Sequence, residues 1–290
     1  MQAKEIYDFL VESKKTYPGL IHASNYIAKN KSKLKELQRS VLDELVQVYY
    51  SYLKKNLSIT GCSDQDVRER VKEVNKYYNY IHSHSYDYFF TSQSKFRPTI
   101  LEEFCYILFK DVVDSVNKKL SPHKIESGAA KAYTNLYFAA TNLEEFVKSP
   151  EIGVNEKDQD FAIYKTLELN IADKKQSIKL PVIAAECKTY IDKTMLEGSI
   201  ATAEKIKSGN PYSLFFIITE AYDVSLDVDP AYSRIDQIYV LRKCTQKSLD
   251  NEWRVIDEDV VIDFVREVKN HLSREWSNVK EKMAKEGKII

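Results

Sequence analysis

The sequence lacks any apolar segment approaching the roughly 18 to 20 residues that a membrane-spanning helix needs. Residues Met1 to Leu20 also lack the charged start and apolar centre of a secretory signal. These two absences predict a cytoplasmic protein with no membrane partner. The chain has 290 residues, of which 43% are hydrophobic, so it is long enough to bury a full core.

Clustered cysteines and a net charge are missing as well. The four cysteines are far apart in the sequence, with no CxxC pair and no histidine at zinc-ligand spacing. We therefore expect reduced thiols. The 43 basic and 43 acidic residues cancel, so the basic excess that is typical of nucleic-acid-binding proteins is absent. Any such function has to be argued from motifs.

The first 120 or so residues have the pattern of helices. Apolar residues recur at spacings of three and four in residues 6–11 and 34–49. Ser63, three residues before Asp66, predicts the start of a helix that extends to about Tyr80. Another helix is predicted from Thr99 to about Lys119, with Pro98 near its first turn. We divide the chain into a helical N-terminal region, 1–95, for DNA recognition or dimerisation, and a core, 96–290, which ends in a C-terminal helix.

From Tyr133 onward, short apolar runs predict strands. They cover residues 133–139, 161–171, 178–189, 214–219 and 235–241, with helices at 191–208 and from 257 to about 282. A polar turn joins the second and third strands, as in an antiparallel hairpin. The helix between the third and fourth strands predicts a parallel crossover. The expected fold class is α/β (α+β), with a mixed β-sheet flanked by helices.

The third predicted strand ends in Glu186-Cys187-Lys188, a segment that offers a carboxylate and an amine for catalysis. Side chains alternate along a strand, so Glu186 and Lys188 share one face and Cys187 points to the other. Two charges at the end of an apolar strand are costly unless a cation or a second carboxylate accompanies them. Asp160 begins the hairpin partner strand, and pairing from a turn near residue 174 puts it opposite position 188 within a residue or two.

The three side chains can therefore converge on one divalent ion. Asp160, Glu186 and the backbone carbonyl of Cys187 offer hard oxygen ligands, which suit Mg²⁺ and its substitute Mn²⁺. Lys188 is placed to orient the attacking water or to help deprotonate it. This combination is the general recipe for hydrolysing a phosphodiester.

The residues Glu156-Lys-Asp-Gln-Asp160, followed by Ala184-Ala-Glu-Cys-Lys-Thr189 and a helix, resemble the signature of the PD-(D/E)XK nuclease superfamily. The resemblance covers roughly residues 97–241. It implies a restriction-endonuclease-like core in which Asp160 and Glu186 bind the metal and Lys188 is the catalytic amine. Gln159 replaces the proline of the motif, which leaves Asp158 as a competitor for Asp160.

The superfamily often adds a carboxylate from the helix before the first strand. Glu102 and Glu103 are both placed for this role, and Glu103 is the slightly favoured metal ligand. The stretch from Glu186 to Glu197 resembles restriction endonucleases, including the BbvCI group with its two different subunits. A polar loop and one lysine are the candidate DNA contacts, namely Ser92, Gln93, Ser94, Lys95, Arg97 and Lys193.

The resulting hypothesis is a Mg²⁺-dependent type II restriction endonuclease subunit that cuts specific double-stranded DNA. One site per chain and two strands to cut imply a homodimer, or a heterodimer with a related subunit. Two alternatives remain open. The chain could be a repair or RNA-directed nuclease of the same superfamily, or a non-catalytic DNA-binding homologue.

Overall fold

The computed structural model describes residues 3–84, 86, 96–171, 174–225, 228–276 and 279–287. The helices in these ranges are α1 (Ala3–Thr16), α2 (Ile21–Lys31), α3 (Glu36–Ser58), α4 (Asp64–Ser83), α5 (Pro98–Leu120), α6 (Leu143–Lys148), α7 (Lys193–Gly209), α8 (Gln246–Asn251), α9 (Glu258–Ser273) and α10 (Val279–Glu286). The strands are β1 (Glu126–Ala139), β2 (Glu151–Ile171), β3 (Lys174–Ile191), β4 (Leu214–Tyr222) and β5 (Gln237–Val240).

The N-terminal helices form where the periodic apolar residues predicted them. Helix α4 begins at a capping box in which Ser63 accepts from the Asp66 N–H and the Asp66 carboxylate accepts from the Ser63 N–H. Helix α2 was not predicted, because only His22, Ala23 and Tyr26 are buried along its length and no clear apolar stripe results. Within the described residues, no helix combines the length and apolar content that a bilayer crossing requires.

Helix α5 is the central packing element of the molecule. Pro98 stands at its first position, where the missing N–H has no helical partner in any case. The helix is buried on most sides because it lies between the N-terminal helices and the sheet. Phe109 packs on Phe161 of β2, with ring centroids 5.5 Å apart, and on Phe264 of α9 at 5.0 Å. One buried cluster therefore runs from α1 through α5 to α9.

The sheet is mixed, as predicted. The strand order is β1-β2-β3-β4-β5 in the described residues, with antiparallel pairs β1–β2 and β2–β3 and parallel pairs β3–β4 and β4–β5. Helix α7 connects the parallel strands β3 and β4 and covers the face opposite α5, where it buries Leu196, Ala203 and Ile206 against β4. Strand β4 lies between β3 and β5 and is buried on both faces, which explains its continuous apolar sequence.

The pairing of β2 with β3 contains a β-bulge. Tyr164 pairs with Pro181, but Ile163, the preceding residue of β2, pairs with Ile183, so Val182 is an extra residue on β3. Proline has no N–H to donate to a ladder and is tolerated in sheets at bulges. Val182 and Ile183 are both buried in the same cluster, as expected where two successive residues turn to one side.

Several predicted boundaries were wrong. Strands β1 and β2 begin at Glu126 and Glu151, seven and ten residues earlier than predicted, because these first segments are rich in small and polar residues. Each of them nevertheless pairs with the later part of the other strand. The last predicted helix is two helices, since α9 ends at Ser273 and α10 begins at Val279. The division of the chain at residues 95 and 96 stays a prediction.

Two glycines of α7 provide a matched test of the packing of this helix on β1. A Cβ at Gly209 would lie 2.3 Å from the carbonyl oxygen of Thr134, whereas a Cβ at Gly198 would have nothing within 4 Å. We expect Gly209→Ala to destabilise the fold by about 1–3 kcal/mol through overpacking. Gly198→Ala should stabilise it by about 0.5–1 kcal/mol through helix propensity. Urea unfolding measures both, and equal effects of the two substitutions would contradict this packing.

Candidate active site

The end of β3 and the middle of β2 bring together the three residues predicted to act on a phosphodiester. Phe161 pairs with Ala185, so Asp160 and Glu186 are the next residues on their strands. Position 186 is two residues from the predicted position 188. The hairpin closes at the pair Ile171–Lys174, so its turn is centred before residue 174, and this register alone would put Asp160 opposite position 185. The bulge at Val182 then shifts the pairing by one residue, to position 186.

The bulge decides on which face these side chains lie. Directly opposed residues of an antiparallel pair share a face, and a slip of one residue moves a side chain to the other face. If the register of the hairpin end continued without the bulge, Asp160 would lie opposite Ala185, which is buried in the α5 layer. With it, Asp160 meets Glu186 on the α7 side.

The three functional groups lie close together. The Lys188 Nζ is 3.3 Å from Glu186 Oε2 and 3.9 Å from Asp160 Oδ2. All three side chains are partly exposed, with Glu186 the least so. Two carboxylates and one amine thus share a small region that solvent can enter.

Each carboxylate is held by a further hydrogen bond. The Cys187 N–H donates to Asp160 Oδ2 at 2.8 Å, and the Ser199 hydroxyl of α7 donates to Glu186 Oε2 at 2.7 Å. Ser199 is buried and was missed from the sequence. A signal existed, because Ser199 interrupts the apolar face of α7 between Leu196 and Ala203. A polar residue on a buried helix face needs a partner, and here that partner is Glu186.

The Cys187 side chain points to the opposite layer, as strand alternation predicts. Its Sγ lies 3.8 Å from Cys105 Sγ of α5, and both residues are buried. The contact with Cys105 and burial raise the pKa of the Cys187 thiol well above its usual value. The thiol is therefore neutral and faces away from the carboxylates. Its backbone carbonyl as a metal ligand stays a prediction.

The charge of Lys188 follows from its neighbours. Burial lowers the pKa of the amine, but the charges of Glu186 and Asp160 raise it by more, so the pKa lies above its usual value. The amine is thus a cation that neutralises part of the carboxylate charge. In this state it can donate hydrogen bonds to a water or a phosphoryl oxygen but cannot accept a proton.

Glu103, the slightly favoured additional metal ligand, does not reach this site. It is fully buried among the N-terminal helices, where Tyr49 OH donates to Oε1 at 2.6 Å and the Ala23 N–H donates to Oε2 at 3.0 Å. Successive residues of a helix point about 100° apart. Its neighbour Glu102 therefore points in a different direction from α5, and its role as a metal ligand stays a prediction.

The candidate DNA contacts are only partly described. Ser92, Gln93, Ser94 and Lys95 lie outside the described residues. Arg97 lies 3.5 Å from the buried Glu220 carboxylate, which also forms an ion pair with the buried Arg242 at 2.7 Å. Lys193 is exposed at the first position of α7. The roles of these residues in binding DNA stay predictions.

The donor set fits a hard divalent cation. Asp160 and Glu186 supply only oxygen atoms, and the nearest thiol points into another layer. In the described part of the chain, no group of three or more Asp, Glu, His or Cys side chains forms a cage of its own. A cation here would therefore depend on backbone carbonyl, water or substrate oxygens as well, as is usual for Mg²⁺.

Two of three comparisons with known proteins give a match. The family model described as Bpu10I restriction endonuclease matches residues 93–283, well over half of the chain. A solved structure described as the native BbvCI A2B2 tetramer at low resolution is similar, with a TM-score of 0.67 and 21% sequence identity. The match covers 89% of this chain and 96% of that one. At this identity the likeness is one of fold. Comparison with the curated proteins gave no match.

The buried position of Glu103 predicts a pH-dependent stability. Burial raises its pKa to about 7 from an ordinary 4.5, against the opposing hydrogen bonds from Tyr49 and the backbone. The folded state therefore binds this proton more tightly than the unfolded chain. The stabilisation is fully present below about pH 4.5 and is lost as the pH rises to about 7, by an amount on the order of 3 kcal/mol.

Glu103→Gln removes the titrating group, so we expect its free energy of unfolding to lack this decline. Urea unfolding at about pH 5 and about pH 8 measures the difference between the variant and the wild type. Glu102→Gln is the matched control and should decline with pH as the wild type does. Equal pH dependence of wild type and Glu103→Gln would show that the buried carboxyl does not titrate in this range.

Proposed function

The chain belongs to the Bpu10I restriction endonuclease family, and from this premise we propose that it is a subunit of a type II restriction endonuclease that hydrolyses phosphodiester bonds of specific duplex DNA with Mg²⁺. The observation that carries the proposal is that the carboxylates of Asp160 and Glu186 both lie within 4 Å of the Lys188 amine. Family membership supports nuclease activity, and the site geometry supports Asp160, Glu186 and Lys188 as the residues that perform it.

In this mechanism Asp160 and Glu186 hold the divalent cation, with Mn²⁺ as a possible substitute for Mg²⁺. When bound, such an ion lowers the pKa of a coordinated water and neutralises charge on the phosphoryl oxygens. The Cys187 N–H and the Ser199 hydroxyl keep the two carboxylates oriented, since each donates to one carboxylate oxygen. This support restricts both side chains to one geometry before the substrate arrives.

Lys188 acts on the attacking water and on the charge of the transition state. As a cation between the two carboxylates it can donate to a water placed for in-line attack, and it attracts the negative charge that builds on the phosphoryl group. Proton removal is then left to another group or to the solvent. We also propose that Lys193, exposed at the start of α7, contacts a neighbouring phosphate.

We propose that two chains act together to cut both strands, because the described residues of one chain contain one such site. The similar BbvCI structure is described as an A2B2 tetramer. We propose that this chain likewise works beside a second nuclease chain, which is either another copy or a related subunit, and that it acts in the cytoplasm on double-stranded DNA.

Asp160→Asn and Glu186→Gln are expected to reduce plasmid cleavage in Mg²⁺ by at least about 100-fold, because each removes a charged oxygen ligand of the cation. Asp158→Asn is the matched control. It makes the same chemical change two residues away, at an exposed position paired with Lys131, and should leave the rate near that of the wild type. Gel analysis separates intact, nicked and linear plasmid, and nicking alone points to a missing related subunit.

Specific DNA binding by the two inactive variants should persist in Ca²⁺, which occupies oxygen sites without supporting this hydrolysis. Wild-type cleavage by Asp160→Asn or Glu186→Gln would contradict the assignment. Loss of cleavage in Asp158→Asn but not in Asp160→Asn would transfer the role to Asp158. Cleavage of RNA in preference to duplex DNA would contradict the proposed substrate.

A further inference from the structure

The connection between α2 and α3 is strongly basic. Residues 29–39, which we call the lysine loop, contain one acid, Glu36, and five bases, namely Lys29, Lys31, Lys33, Lys35 and Arg39. The 43 bases and 43 acids of the whole chain cancel, so this segment concentrates positive charge on a protein that has no net charge. A local concentration of this kind is the electrostatic footprint that a polyanion requires.

The lysines of this loop are available to a partner. Lys31, Lys33 and Lys35 are exposed, and none of them takes part in an ion pair among the described residues. Glu36, the one acid of the segment, is exposed and does not pair with them. Three positive charges therefore face solvent without a carboxylate to neutralise them.

The backbone of the lysine loop is held in one conformation. Arg39 donates to the Asn30 side chain at 2.9 Å, to the Asn30 carbonyl at 3.2 Å and to the Ser32 carbonyl at 3.3 Å. The N–H and the hydroxyl of Ser32 both donate to the Lys29 carbonyl, at 3.1 and 2.7 Å, where α2 ends. Because the backbone is already ordered, a partner that binds here does not have to order it.

The lysine loop lies at the same end of the molecule as the candidate active site. The Lys29 Nζ is 5.7 Å from the centroid of the Phe96 ring, and Phe96 comes shortly before α5. Arg97, the next residue, lies 3.5 Å from Glu220 of β4. The residue before Glu220 pairs with Lys188. The start of α5, and the loop beside it, are therefore next to the edge of the sheet at which β3 presents Lys188.

The loop and the catalytic side chains lie on opposite sides of the sheet at this edge. Cys105 of α5 contacts Cys187, whose side chain points away from the carboxylates. Pro98, the first residue of α5, is about 10 Å further along the helix. Duplex DNA carries one phosphate per about 1.7 Å of its axis, counting both strands. A duplex that crosses the edge from one side of the sheet to the other therefore presents phosphates to both surfaces.

We propose that the lysine loop binds phosphates of the duplex beside the cleavage site. Phosphate contacts position a protein on DNA without reading bases, so the loop adds affinity for any sequence. Lysine suits this role, because its ammonium is a point charge on a flexible stem that can follow the backbone. The inference rests on the proposed action on duplex DNA, and it names a surface outside residues 93–283, which the family model matches.

The salt dependence of duplex binding counts phosphate contacts and therefore tests the proposal. Fluorescence anisotropy of the full chain with a labelled duplex of random sequence, in EDTA to prevent cleavage, gives the affinity at each salt concentration. Each contact contributes about 0.9 to the slope of log affinity against log salt. The combined substitutions Lys31→Gln, Lys33→Gln and Lys35→Gln should reduce the slope by about 2 to 3. Between about 50 and 200 mM salt, the wild type should lose about 40-fold more affinity than this variant.

The combined substitutions Lys118→Gln, Lys119→Gln and Lys124→Gln are the matched control. These lysines are also exposed and outside every ion pair of the described ranges, and they lie at or just beyond the far end of α5. The control removes the same charge from the protein but should leave the slope near that of the wild type. Arginine at the three loop positions should also preserve the slope, because the positive charge remains.

A wild-type slope in the loop variant, or an equal reduction in the control, would overturn the proposal. So would tighter binding of an RNA of the same length that depends on the loop. Plasmid cleavage in Mg²⁺ separates this question from the proposed function. If the wild type cuts DNA but its slope does not depend on the loop, only the loop assignment fails. If the slope depends on the loop but the wild type neither cuts nor nicks DNA, the nuclease proposal fails and the binding surface stands.

Discussion

The register between β2 and β3 is the constraint on which the site depends. Asp160 reaches the face of Glu186 and Lys188 only because Val182 is an extra residue opposite β2. Pro181 stands where the two registers meet and cannot donate to the ladder, so the sequence itself disfavours uninterrupted pairing there. A bulge that reorients a side chain beside an active site is a recurrent use of this irregularity. Apolar residues on both sides of it then fix the arrangement in the core.

The cost of gathering charges at this position explains the surrounding contacts. Two carboxylates so close together are unfavourable unless cations and hydrogen-bond donors compensate them. Lys188, the Cys187 N–H and the Ser199 hydroxyl each supply part of that compensation. A divalent cation would supply the rest. Glu103 shows the contrast, since it is buried without a cation and its pKa rises to about 7.

Much of this structure could be predicted from the sequence, because alternation and helical spacing are local properties. The mixed sheet, the β2–β3 hairpin and the crossover through α7 are confirmed, as is the resemblance to a restriction endonuclease. The roles of Asp160, Glu186 and Lys188 remain proposals, although the fold brings them together. The choice between Glu102 and Glu103 depended on how α5 is rotated against its neighbours. The first segments of β1 and β2 depended on tertiary partners that no local pattern reveals, whereas Ser199 was recognisable only as a polar residue on the apolar face of α7.

Binding of Mn²⁺ to the chain without DNA is the most direct test of the shared site. Electron paramagnetic resonance measures free Mn²⁺ and therefore the affinity of the protein for it. We predict that the wild type binds Mn²⁺ and that Asp160→Asn and Glu186→Gln each weaken binding by at least about tenfold, whereas Asp158→Asn leaves it unchanged. Unaltered Mn²⁺ affinity in either of the first two variants would contradict a cation held jointly by β2 and β3.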